Sequence, residues 1–226
     1  MTVASDPNSF GEARVFNPPM IGIFGGTFDP IHFGHIRTVS AVQARLELTK
    51  VLLVPVHIPP HRPIPVARPE HRISMTELAI KGTPFLECDG REIRRGGISY
   101  TISTIQEIRR EVGSIPLCLI LGLDSFLDFS EWHRWGEILN YVHIIVMYRP
   151  GWRFPPLLPD WWREATQENS AKLREKENGY VYSMLVPSID LASTIIRQQL
   201  LCNMCVSAAL PPAVLRYIRR YRLYGK

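Results

Sequence analysis

Short apolar runs alternate along this chain with stretches in which apolar residues recur every three or four positions. The runs Met20–Phe24, Val51–Val56, Phe85–Cys88, Leu117–Leu121, Val142–Met147 and Val181–Val186 have the length of strands. Between the first two, Gly34–Leu48 sets Ile36, Val39, Val42 and Leu46 on one stripe of a helix. Helices are also expected over Pro69–Lys81, with Pro69 in the first turn, and over Thr101–Val112, Trp135–Leu139, Ser193–Leu201 and Pro212–Tyr221. Leu117–Leu121 is apolar throughout, as a strand covered on both faces must be. The alternation predicts an α/β fold: a doubly wound parallel sheet with helices on both faces and a C-terminal helical segment. Such sheets bind ligands beyond the carboxyl ends of their strands, where the strand order reverses.

The intervening segments differ in character. Pro55–Pro69 is too rich in proline for a regular element. Arg91–Gly97 is basic and glycine-bearing, and residues 150–179 read as loop plus a short helix. Residues 1–19 are polar, contain Pro7, Pro18 and Pro19, and lack the apolar stretch of a secretion signal, so they read as a flexible extension. Residues 20–226 then form a single domain, within the reach of one core for a chain that is 46% hydrophobic and 21% charged.

No apolar run is long enough to span a bilayer. Cys88 and Cys118 sit in apolar runs and read as buried small hydrophobes; Cys202 and Cys205 have metal-ligand spacing, but no second pair follows. A cytoplasmic, reduced protein is expected. The net charge of +5 suits phosphate-bearing partners but is modest for a nucleic-acid domain. Tyr217, Tyr221 and Tyr224, interleaved with the cations of Arg216–Lys226, read as a packing stripe.

The chemistry concentrates in GGTFDPIHFGH at 25–35. Gly25 and Gly26 allow a sharp turn and a close backbone approach. His32 and His35, three apart, share one face of a helical turn, and a helix start behind glycines is an anion site. Asp29 would repel a polyphosphate and reads as a cap of the following helix. Ser193 and Thr194 open another helix, with Arg197 one turn on; the alternative is a serine N-cap and a surface arginine. Asp124, at a strand end, suits a ribose diol or a helix cap.

The run at 25–35 resembles the GTFDPxHxGH signature of the nucleotidyltransferase superfamily. Together with VPVHIPPHRP at 54–63, SYT at 99–101, GLDS at 122–125, WHRW at 132–135 and STIIR at 193–197, it makes the chain similar to bacterial nicotinate-nucleotide adenylyltransferases. That resemblance implies a Rossmann-like fold and transfer of AMP from ATP to nicotinate mononucleotide, by direct in-line attack without a covalent intermediate. It implies His32, His35 and Arg197 as catalytic residues, and Gly25, Gly26, Thr27, Asp124, Ser193 and Thr194 around ATP. For the nicotinate nucleotide it implies His61 and Arg62, preferred over His57, with Tyr100, Thr101 and Trp132. Mg²⁺ would arrive with ATP, with no dedicated protein metal site. The expected partners are the two substrates, with no nucleic acid and no membrane, and the chain would be a monomer or weak homodimer. Two positions depart from the family pattern: Arg62 stands where some members carry lysine, and Ala192 stands at the first serine position of the STIIR segment.

Overall fold

The computed structural model describes residues 17–152 and 154–225. The extension expected at 1–19 therefore lies, for residues 1–16, outside the described residues, while residues 17–19 are exposed. The strands are β1 (Ile21–Gly26), β2 (Lys50–Pro55), β3 (Leu86–Cys88), β4 (Leu117–Gly122), β5 (His143–Tyr148), β6 (Thr166–Gln167) and β7 (Val181–Leu185). The helices are α1 (Phe33–Leu46), α2 (Pro69–Ile80), α3 (Arg91–Arg95), α4 (Thr101–Val112), α5 (Leu123–Leu127), α6 (Trp135–Ile138), α7 (Asp160–Ala165), α8 (Ser193–Leu201) and α9 (Pro212–Arg220). Every strand pair is parallel, in the order β3-β2-β1-β4-β5-β7-β6. The order reverses between β1 and β4, so the doubly wound sheet expected from the sequence is the fold found.

Alternate residues of each central strand feed opposite cores. Val51, Leu53, Cys118 and Ile120 face the layer holding Val39 and Val42 of α1, Met75 of α2, Ile196 of α8 and Ile218 of α9. Leu52, Val54, Leu119 and Leu121 face Ile102, Ile105 and Ile108 of α4, Phe126 of α5 and Trp162 of α7. On β1, Ile21 and Ile23 serve the second layer, while a Cβ on Gly22 would lie 2.9 Å from Leu48 in the first. Among the described residues no helix is long and apolar enough to cross a membrane, and all four cysteines are free. Cys118 is buried, but Cys88 is only half-buried, on the short strand at the sheet edge.

Several local expectations are corrected. Gly25 and Gly26 are the last residues of β1, paired with Val54 and Pro55, and do not form the turn. The turn is made by the next residues, with Phe28 in a left-handed conformation (φ 47°). Helix α1 stops at Leu46, because Glu47 turns left-handed (φ 50°) and Leu48 leaves the helix to enter the core. The basic segment 91–97 contains a helix, α3, held by Arg91 between Asp89 and Glu111. The stretch 150–179 contributes α7, a one-turn helix at Ser170–Arg174 and the two-residue edge strand β6. The tyrosine stripe does pack: His71 of α2 lies against Tyr217 and Tyr221, and Tyr224 is buried.

Arg72 of α2, fully buried, ties the sheet edge to this packing. It donates to the carbonyls of Thr27 at 2.8 Å, Val56 at 2.6 Å, Ala67 at 3.2 Å and His57 at 3.3 Å, joining the segments that follow β1 and β2. Arg72→Met keeps the bulk but strips the donors from these carbonyls. It should lower the unfolding free energy, read from urea titrations, by about 3 kcal/mol. A loss under about 1 kcal/mol would mean that the carbonyls find other donors.

Candidate active site

Two cavities open at the carboxyl edge of the sheet, one of about 600 Å³ and one of about 360 Å³. They meet at a common wall of Gly25, Gly26, Thr27, Arg62, Leu121 and Ser125, at the point where the strand order reverses. A Cβ on Gly25 would meet no atom within 4 Å, so its missing side chain leaves open space at that wall. Arg62 reaches across to the Ser125 hydroxyl at 3.4 Å.

The larger cavity gathers His32, His35, Asp124, Ser193, Thr194 and Arg197. The two imidazoles stack, with centroids 3.8 Å apart, and the His32 backbone N–H donates to His35 Nδ1 at 3.3 Å. Phe28 presents its edge to the His35 ring at 5.2 Å. A Cβ on Gly34 would sit 2.7 Å from His32 Nδ1, so glycine is what lets that ring lie against α1. Burial, helped by the charge of Arg149, pulls His32 down to about 4. Burial and then the neighbouring His32 hold His35 well below its ordinary value. Both rings are therefore neutral in the free protein at neutral pH, and His32 Nδ1 is buried with no hydrogen-bond partner among the described residues.

Arg197 donates to the Asp29 carbonyl at 2.6 Å, and the Ser193 hydroxyl donates to the Pro30 carbonyl at 3.0 Å. The first turn of α8 is thus fastened to the histidine loop. Neither the cap expected of Asp29 nor the caps left open as alternatives for Ser193 and Asp124 are found. The N-cap of α8 is Ala192, so Ser193 is free to bond Pro30 instead. The N-cap of α5 is Gly122, and Asp124 stands in the first turn, its carboxylate where a Cβ on Gly122 would fall 2.5 Å away. The N-cap of α1 is His32, and Asp29 instead accepts from the N–H groups of Val66 and Ala67 ahead of α2.

The smaller cavity is lined by His61, Arg62, Tyr100, Thr101 and Trp132, with Ser99 and Thr104. Tyr100 and Thr101 open α4, whose first-turn N–H groups start at this wall. Trp132 packs on Phe129 at 5.5 Å and still lines the cavity, whereas Trp135 turns away onto Phe129 and Trp161. His57 is not part of the wall: its ring bonds the Gly97 carbonyl at 2.9 Å and its N–H donates to Ser99 Oγ at 2.9 Å, joining the two loops.

The sequence reading missed Arg149, Glu92 and Arg72. Arg149 follows β5 and lines the larger cavity, so its position after a central strand was the available signal. Glu92 is a buried carboxyl in the smaller cavity that accepts from Thr104 Oγ1 at 2.6 Å, and burial raises its pKa. Nothing in a run of alternating charges marks it in advance.

The cytidylyltransferase-like family model matches residues 23–199. A protein of Serratia proteamaculans named "Probable nicotinate-nucleotide adenylyltransferase" is 42% identical over 206 residues, covering 89% of this chain and 94% of its own. One of the same name from Methylococcus capsulatus is 41% identical over 210 residues, covering 92% of this chain and 100% of its own. The chain belongs to the nicotinate-nucleotide adenylyltransferase family. The fold agrees: the nicotinic acid mononucleotide adenylyltransferase of Plasmodium falciparum, solved with NaAD, superposes with a TM-score of 0.70 at 16% identity, over 91% of this chain and 97% of its own.

The depressed histidines contribute to the acid response of this nucleotidyltransferase. An unfolded histidine titrates near 6.5, but folded His32 takes its proton only near 4. The unfolded state therefore binds more protons in that window, and stability falls as pH drops from 6.5 towards 4 and levels off below it. Moving from pH 7 to about pH 4.5, His32 alone should remove roughly 2–3 kcal/mol. Urea titrations at both pH values should show a smaller acid loss in His32→Gln by that amount. Equal losses would mean that the His32 ring is hydrated before ligand binds.

Proposed function

We propose that the chain transfers the adenylyl group of ATP to nicotinate mononucleotide, releasing pyrophosphate and giving nicotinate adenine dinucleotide, with ATP in the larger cavity and the mononucleotide in the smaller. The observation that carries this reading is the shared glycine wall: two sites of nucleotide size meet at one edge, so a phosphate from each side can come together there.

The attacking group is a phosphate oxygen, already ionised at neutral pH, so no nucleophilic side chain is needed. Catalysis then consists of holding the two reactants in line and stabilising the charge that develops on the transferring phosphoryl group. His32 and His35 stand at the start of α1, and Arg197 and Thr194 of α8 line the same cavity. In this reading the neutral rings donate N–H to the phosphates and the arginine supplies the charge. Gly25, Gly26 and Thr27 let the phosphates approach the backbone, and Asp124 receives the ribose hydroxyls. Arg62, belonging to both cavities, and His61 attend the mononucleotide phosphate, while Trp132 faces the pyridine ring. The N–H groups at Tyr100 and Thr101 donate to the ring carboxylate.

Mg²⁺ fits as a companion of ATP. The donors around the larger cavity are mainly imidazole, guanidinium, hydroxyl and N–H, and Asp29 is already engaged by hydrogen bonds, so the phosphates and water would hold the ion. It would neutralise the leaving pyrophosphate.

Purified protein incubated with ATP, magnesium and either nicotinate or nicotinamide mononucleotide should release pyrophosphate much faster with the acid. Equal rates would remove the carboxylate role from Tyr100 and Thr101, and no release with either would overturn the reading. His35→Ala should lower kcat by about 100-fold, the effect of losing one donor to transition-state charge, with little change in the mononucleotide KM. An unchanged kcat would exclude His35 from the chemistry.

A further inference from the structure

Tyr224 lies beyond α9, where the chain doubles back: the Leu223 N–H bonds the Ile218 carbonyl at 3.0 Å, and Tyr224 adopts a left-handed backbone (φ 61°). This turn carries its ring beneath the histidine loop, where only 7% of the residue is exposed. Its hydroxyl donates to Asp29 Oδ1 at 2.7 Å. The same carboxylate accepts from Val66 N–H at 2.7 Å and Ala67 N–H at 3.0 Å. Arg197 is held to the carbonyl of this one residue, with its guanidinium 3.7 Å from Asp29 Oδ2. Arg197 and Asp29 are thus close enough to attract yet do not form a bidentate pair, and the guanidinium stays in the wall of the larger cavity.

We propose that Tyr224 is a positioning residue: by fixing the Asp29 carboxylate it keeps Arg197 turned towards the triphosphate. The proposal rests on the reading that the larger cavity takes ATP. A bidentate arginine–carboxylate pair is a strong, charge-assisted contact that would compete with a phosphate for the same guanidinium. Hydrogen bonds from Tyr224, Val66 and Ala67 occupy the carboxylate and hold it short of that geometry. Burial and the adjacent carboxylate push the Tyr224 phenol up, so it remains a donor throughout the working range of the enzyme. The ring belongs to the apolar core beneath the loop, so the packing role and the hydroxyl role can be separated.

Tyr224→Phe keeps the ring and removes the tether. It should lower kcat/KM for ATP by about tenfold, the size of one hydrogen bond to a charged group, and leave the mononucleotide KM unchanged. Affinity for a non-hydrolysable ATP analogue, read by calorimetry, should fall in parallel. In an Arg197→Met background the same change should alter analogue affinity less than about twofold, because residues acting through one contact are not additive. A purely structural role would instead lower the affinity as much in that background as in the wild type, or would raise both substrates' KM together. Wild-type kcat/KM and analogue affinity in Tyr224→Phe would overturn the proposal. If the wild type releases no pyrophosphate, the functional reading fails, and analogue binding still tests the tether: equal affinity of wild type and Tyr224→Phe overturns it.

Discussion

Asp29 is held by donors from three distant parts of the chain, two of which reach its buried carboxylate. Val66 and Ala67 reach it from the segment ahead of α2, and Tyr224 from beyond α9, while Arg197 of α8 holds the carbonyl of the same residue. A carboxylate removed from water is tolerated only when its lone pairs are filled. Filling them draws the proline-rich loop and the last turn of the chain around the histidine loop, and the bond from Arg197 to the Asp29 carbonyl adds α8. Arg72 does the complementary work, filling the carbonyls of Thr27, Val56, Ala67 and His57 from beneath. Together these two buried groups hold the segments after β1 and β2 at the edge where the cavities open.

That geometry suits a reaction whose nucleophile needs no activation. The imidazoles are neutral and stacked, held by burial and by Phe28, and they offer N–H groups without carrying fixed charge. The permanent positive charge around the larger cavity comes from Arg62, Arg149 and Arg197, carried by three separate parts of the chain, with Arg197 3.7 Å from the Asp29 carboxylate. In the proposed reaction, charge brought in by the triphosphate meets donors already in place, which spares reorganisation at the moment of transfer.

The division of aromatic residues follows the same economy of position. Trp132 and Trp135 are three residues apart and chemically identical, yet one lines the smaller cavity and the other fills the core against Trp161. What separates them is the left-handed Arg134 (φ 53°), which turns the chain between the two rings just before α6 begins at Trp135.

The sequence by itself determined the sheet, most of its helices and the edge on which the site lies, because alternating apolar runs leave few ways to bury both faces of a parallel sheet. The family resemblance also singled out the two histidines, the STIIR helix and Trp132, all of which line one or other of the two cavities. Tertiary structure alone decided what Asp29, Ser193 and Asp124 do. Each has the local signature of a helix cap, but remote N–H and O–H donors take the Asp29 carboxylate, and Ser193, one place inside α8, donates its hydroxyl to the remote Pro30 carbonyl. Position after a central strand marks Arg149, but nothing in the spacing reveals what it, Arg72 or Tyr224 faces. Their roles depend on carbonyls, imidazoles and a carboxylate brought near them only when the sheet closes, and burial then sets both the protonation of the histidines and the worth of each hydrogen bond.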